Sequence, residues 1–135
     1  MDNYKQHMTD ARNERETGEP TKALEMFLQI DKNQLDQEQL FDYLGELGLT
    51  YWHLKRFEEA RNAFEEAQKQ AEATGNNSHR AVALRQLSRP EFNSVNPPIA
   101  VEYAKKAQEL AHDANRQDLA WFDHGVVTAL IFAKA

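Results

Sequence analysis

Residues 47–67 read LGLTYWHLKRFEEARNAFEEA. Gly48 is followed by Ala60 twelve residues on, Phe64 at sixteen and Ala67 at nineteen. The same ruler laid from Ala11 finds Ala23, Phe27 and Ile30; laid from Ser88 it finds Ala100, Ala104 and Ala107. The copies are offset by 37 and then 40 residues. Small residues at the first two marks and small or apolar ones at the others define an internal repeat. Two antiparallel helices joined by a short turn approach closely only where a small side chain faces the partner. Gly48 and Ala60 therefore mark a close approach, and Tyr51, Phe57 and Phe64 fill the wider gaps. A single hairpin of this kind leaves its apolar face uncovered, and stacked copies complete the core.

The punctuation around these marks is helical throughout. Gly18-Glu19-Pro20 sets a turn before a helix with proline in its first turn, and Asn96-Pro97-Pro98 repeats the arrangement with asparagine as the cap. Asp36 with Gln39 and Asn115 with Asp118 read as capping pairs, and Gly75-Asn76 as a C-terminal stop. Seven helices are expected, over 2–17, 20–32, 37–54, 57–74, 79–93, 97–113 and 116–133. The β-branched cluster Val126, Val127 and Thr128 sits in an apolar run too long and alanine-rich for a strand.

Bulk properties narrow the class. The 135 residues fit one domain, 1–135, with 41% hydrophobic and 28% charged residues, the composition of a folded globular chain. A net charge of −6 argues against a general nucleic-acid binder, which needs a strong cationic field. No cysteine is present, which removes disulfides, thiolate zinc sites and cysteine nucleophiles. The first residues lack the apolar core of a secretory signal, and no apolar run approaches the ~18 residues of a membrane span. A cytoplasmic protein with no membrane association is expected. Asn76-Asn77-Ser78 matches a glycosylation sequon but reads better as a turn and helix start.

Leu47, Gly48, Tyr51, Ala60, Phe64 and Ala67 closely resemble the tetratricopeptide-repeat signature, and Ala23 with Phe27 after Gly18-Glu19-Pro20 resembles its second half. The third copy is looser, with Ser88 for the usual small residue, Glu91 for the aromatic and Ala104 for a large apolar one. The resemblance implies an all-α, right-handed α-solenoid of three helical hairpins, over about residues 4–36, 41–76 and 79–113, plus a C-terminal seventh helix. The offsets exceed the family's basic 34 residues, which implies longer second helices.

Catalytic and metal-binding patterns are missing from the sequence. His7, His53, His79, His112 and His124 form no H-E-x-x-H and no i, i+4 pair. No G-x-S-x-G surrounds a serine, no glycine-rich loop suits a phosphate, and Glu58-Glu59 and Glu65-Glu66 belong on a solvated helix face. No enzyme activity and no cofactor are expected. The family resemblance implies instead a concave groove lined by the first helix of each copy. Counting at 3.6 residues per turn places Lys5, Met8, Thr9, Arg12 and Arg15 there from the first copy. The second copy adds Asp42, Glu46, Leu49, Trp52 and His53, the third Val82, Arg85, Gln86 and Arg89, and the last helix Leu119, Phe122, Asp123 and Val126. The principal peptide-binding candidates are Lys5, Arg12, Glu46, Leu49, Trp52, His53, Arg85 and Arg89. The cations among these positions hint at an acidic or carboxylate-bearing peptide. The family's chaperone-tail clamp is not matched, because its lysine and asparagine positions hold Met8, Arg12, Glu46, Val82 and Gln86.

Residues 119–133, LAWFDHGVVTALIFA, are apolar on nearly every face, whereas the last helix of a solenoid normally turns a polar side to water. Self-association as a homodimer through Leu119, Phe122, Val126, Leu130 and Ile131 is one way to cover it; a target protein and a longer parent chain are the others. The expected function is a non-catalytic protein- or peptide-binding scaffold. The alternative is a structural or regulatory homo-oligomer built on the C-terminal helix.

Overall fold

The structure is a computed structural model that describes residues 2–93 and 96–113. The helix expected over 116–133, the proposed interface residues Leu119, Phe122, Val126, Leu130 and Ile131, and the capping pair Asn115 and Asp118 lie outside the described residues. Those described residues are all-helical, with no strand and six α-helices: α1 Asp2–Thr17, α2 Pro20–Leu28, α3 Gln37–His53, α4 Phe57–Thr74, α5 Asn77–Leu87 and α6 Pro97–Asp113. The chain divides into two compact units, Met1–Ala63 and Phe64–Ala135, with the boundary inside α4.

The helix starts follow local chemistry. Pro20 occupies the first turn of α2, where its missing N–H costs no hydrogen bond. At α3 the Asp36 side chain accepts from the Gln39 N–H at 2.8 Å, and the Gln39 side chain accepts from the Asp36 N–H at 3.1 Å, a reciprocal capping box. Asn76 caps α5 by accepting from the His79 N–H at 3.0 Å, so the sequon-like triplet is a turn and helix start. Gly75, at φ +69°, ends α4 in the left-handed region that glycine enters without a Cβ penalty.

Two helices stop short of expectation. Instead of running to residue 32, α2 ends at Leu28; Asp31 then turns its carboxylate onto the Asn33 N–H at 3.0 Å and opens a 3-10 turn over Lys32–Gln34. Short polar side chains compete for backbone N–H groups in this way and divert the chain from the helix. Instead of running to residue 93, α5 ends at Leu87. The residue before Pro90 is disfavoured in helical backbone, and the Asn93 amide caps the end by donating to the Leu87 carbonyl at 2.6 Å.

The α3–α4 turn is made differently. The Arg56 N–H donates to the Tyr51 carbonyl and the Lys55 N–H to the Trp52 carbonyl, both at 2.9 Å, which is the Schellman pattern. Lys55 sits at φ 61°, where glycine is the usual occupant. Arg56 stacks over the Tyr51 ring at 5.0 Å and grips Glu59 with two nitrogens, at 2.7 and 2.5 Å.

In the first unit α1 packs on α2, and both pack on α3. In the second, α5 packs on α6 through Ala81, Leu84, Ala107, Leu110 and Ala111. The Phe64 and Phe92 rings meet at 5.7 Å. Of the twelve positions marked by the ruler, all but Ile30 and Ser88 are buried, and Ala11, Ala23, Phe27, Ala60 and Phe64 are completely so.

Candidate functional site

Helix α3 packs one face on α1 and α2 and leaves another partly open, with Asp42 and Glu46 at its border with α1. Tyr43, Leu44, Leu47, Gly48 and Thr50 are buried. On the other side Glu38, Asp42 and His53 are exposed, and Gly45, Glu46, Leu49 and Trp52 are half-buried. This open strip recurs at three- and four-residue steps, so it is one continuous helix face. It contains Glu46, Leu49, Trp52 and His53, four of the candidate binding residues. The Trp52 and His53 rings lie 5.3 Å apart at 48°.

Where α1 meets α3, a polar seam ties the helices. Glu46 Oε2 accepts from Arg15 Nη1 at 2.8 Å and from Arg12 Nε at 3.2 Å, and Arg15 Nη1 also reaches the Glu46 carbonyl at 3.3 Å. The Arg15 side chain is only 5% exposed, against 37% for Arg12 and 16% for Glu46. Glu16, the other carboxylate near Arg15, stands 3.6 Å away and faces solvent. One turn toward the other end of the seam, the Tyr4 hydroxyl donates to the Gln39 carbonyl at 2.9 Å and to Asp42 Oδ2 at 3.2 Å.

These contacts set the titration behaviour. Desolvation between the helices pushes the Tyr4 phenol far above its ordinary value, and Asp42 adds to the shift by its charge and by accepting the hydrogen bond. Asp42 is itself raised, first by desolvation and then by the like charges of Glu46 and Glu38, with the Tyr4 hydroxyl and Arg12 opposing.

Several groove expectations are corrected by burial. Met8 and Arg15, counted among ligand-facing residues, are packed inside, and so is Gln86. Val82 packs against the α5–α6 cluster. The 3.6-residue count located α1 correctly as a helix but rotated its open face: Tyr4, Met8, Ala11 and Arg15 form the buried stripe, leaving Lys5 and Thr9 exposed. Lys5 and Arg12 remain on the accessible side, and the structure joins Arg12 to Glu46. Tyr4 is the member of the seam that sequence reasoning missed; its place on the 4, 8, 11, 15 stripe was the available signal.

In the second unit Arg85 and Arg89 are half-buried near the end of α5. Arg89 Nε donates to the buried Gln86 Oε1 at 3.1 Å, and burial lowers the Arg89 pKa. Among the described residues no group of three histidine or acidic side chains is disposed to hold a metal ion. No helix among them is long and apolar enough to cross a membrane. No family model matches the chain, and neither does any curated protein or solved structure with which it was compared.

Proposed function

We propose that the chain is a non-catalytic protein- or peptide-binding scaffold, a tetratricopeptide-like right-handed α-solenoid that takes its ligand along the first helices of its hairpins. The observation that carries this reading is the burial of the spaced small residues: Ala11 and Ala23, Gly48 and Ala60, and Ala100 with Ala104 and Ala107 are all packed away. Small residues buried twelve apart in two copies, with a stripe of buried alanines in the third, are what close-packed helical hairpins require. The open face of α3, with half-buried Leu49 and Trp52 among polar residues, has the mixture of apolar anchor and polar rim that binding surfaces use.

The charge on this surface differs from a plain count of its residues. Arg15 is inside the protein and Arg12 is joined to Glu46, so two of the cations that hinted at an acidic ligand are engaged internally. Lys5 remains exposed on α1.

The test is a peptide selected by display against the full chain. Trp52→Ala and His53→Ala are expected to weaken its binding at least tenfold, with Glu65→Lys on the exposed side of α4 without effect. Thermal melts of each variant separate lost binding from lost fold. Binding sensitive to Glu65→Lys and indifferent to both aromatic substitutions overturns the reading. A second reading, a homodimer covering the apolar stretch 119–133, rests on that sequence run; light scattering across a range of concentrations decides it.

A further inference from the structure

Gly45 lies in the middle of α3, where glycine weakens a helix relative to alanine. The fold does not require it there. A Cβ built at Gly45 meets nothing within 4 Å, and the backbone is ordinary helix with no positive φ. The residue belongs to the open strip, three positions after Asp42 and four before Leu49. Its missing side chain leaves a shallow notch, flanked by a carboxylate on one side and an apolar side chain on the other. A notch of this kind lets another backbone approach the helix more closely than any side chain would permit.

Charge decides what kind of backbone. Along the strip, Glu46 is taken by Arg12 and Arg15. Among the described residues Asp42 is in no ion pair: one oxygen accepts from the neutral Tyr4 hydroxyl, and Arg12, bonded to Glu46, acts on it only through space. Glu38, one turn earlier, is exposed and makes no ion pair among them. These two carboxylates, neither of them in an ion pair among the described residues, repel an acidic segment and attract a basic one.

Resting on the scaffold reading above, we propose that the Gly45 notch is where an extended partner segment makes its closest backbone approach to α3, and that this segment carries a lysine or arginine opposite Asp42. The ligand sign is thus the reverse of the one suggested by counting cations along the sequence.

Peptides selected by display on the full-length chain are the probe, with affinities read by fluorescence polarisation on purified variants. They are expected to be enriched in lysine and arginine. Gly45→Leu, which fills the notch, is expected to weaken them at least tenfold, and Asp42→Asn severalfold. Gly45→Ala adds a good helix former in open space and is expected to raise Tm by about 3 °C while still weakening binding, which separates the notch from stability. Peptides that lose affinity on Trp52→Ala but keep it on Gly45→Leu overturn the notch and leave the scaffold reading standing. Enrichment in aspartate and glutamate overturns the proposed ligand sign. Peptides indifferent to all these substitutions, or failure to select any, overturn both readings.

Discussion

Glu46→Gln is expected to be among the most damaging single substitutions outside the apolar core. The Arg15 side chain is 5% exposed, and its close counter-charge is Glu46 Oε2 at 2.8 Å. Glutamine keeps an acceptor in place but removes the charge, leaving a desolvated guanidinium with only Glu16, at 3.6 Å and the protein's rim, to compensate it. Breaking a buried ion pair by removing one partner costs about 3–5 kcal/mol. Retention of the amide acceptor and the nearness of Glu16 put the expected loss near the lower end, about 3 kcal/mol. The other half of the seam behaves differently. Arg12 is 37% exposed, and pairs open to water contribute ~1 kcal/mol or less, so Arg12→Gln is expected to cost under about 1 kcal/mol. Combining Glu46→Gln with Arg15→Met removes the stranded charge and is expected to recover much of the loss. Urea unfolding followed by circular dichroism at 222 nm measures all four proteins. A Glu46→Gln loss below about 1 kcal/mol, or one equal to that of Arg12→Gln, refutes the inference that Arg15 depends on this carboxylate.

Phe64→Ala is expected to lose about 3–5 kcal/mol in the same assay, because its completely buried ring leaves a cavity against Phe92; a change within error rejects its assignment to the repeat core. Lys55→Gly is expected to stabilise by about 0.5–1 kcal/mol by relieving the left-handed backbone at the Schellman turn, and destabilisation would contradict that origin. Asp42 has a folded pKa raised above the ordinary 3.8, so the fold holds this proton more tightly than the unfolded chain does. Its contribution is fully present below pH 3.8 and is lost as pH rises through the folded value. Asp42→Asn, which keeps an acceptor for Tyr4, is therefore expected to gain stability relative to the parent chain between pH 4 and 7; a constant difference across that range counts against it.

Much of the fold was legible because its punctuation is local. Pro20, the Asp36–Gln39 box and the Gly75-Asn76 stop each act within a few residues, and α1, α4 and α6 begin and end where such signals place them. The shortened α2 and α5 show where local signals compete: Asp31 and Pro90 divert the chain into 3-10 turns before the expected helix ends. The spacing of small residues predicted burial well, because close helix approach leaves little freedom at those positions. The candidate site was less legible. Arg15 and Glu46 are 31 residues apart, and nothing in the neighbourhood of either identifies the other. A helical wheel divides α1 into faces, but whether Met8 or Lys5 points inward depends on how α1 is rotated against α2 and α3. For the same reason a count of cations overstated the positive charge offered to a ligand. Gly45 passes for an ordinary small helix residue until the space around it is known.

The most direct test of the scaffold account is amide chemical-shift mapping of the isotope-labelled chain titrated with a display-selected peptide. The account predicts the largest perturbations along the open strip of α3, at Asp42, Gly45, Leu49, Trp52 and His53. Perturbations confined to the outer face of α4, around Glu58, Glu65 and Lys69, would contradict it.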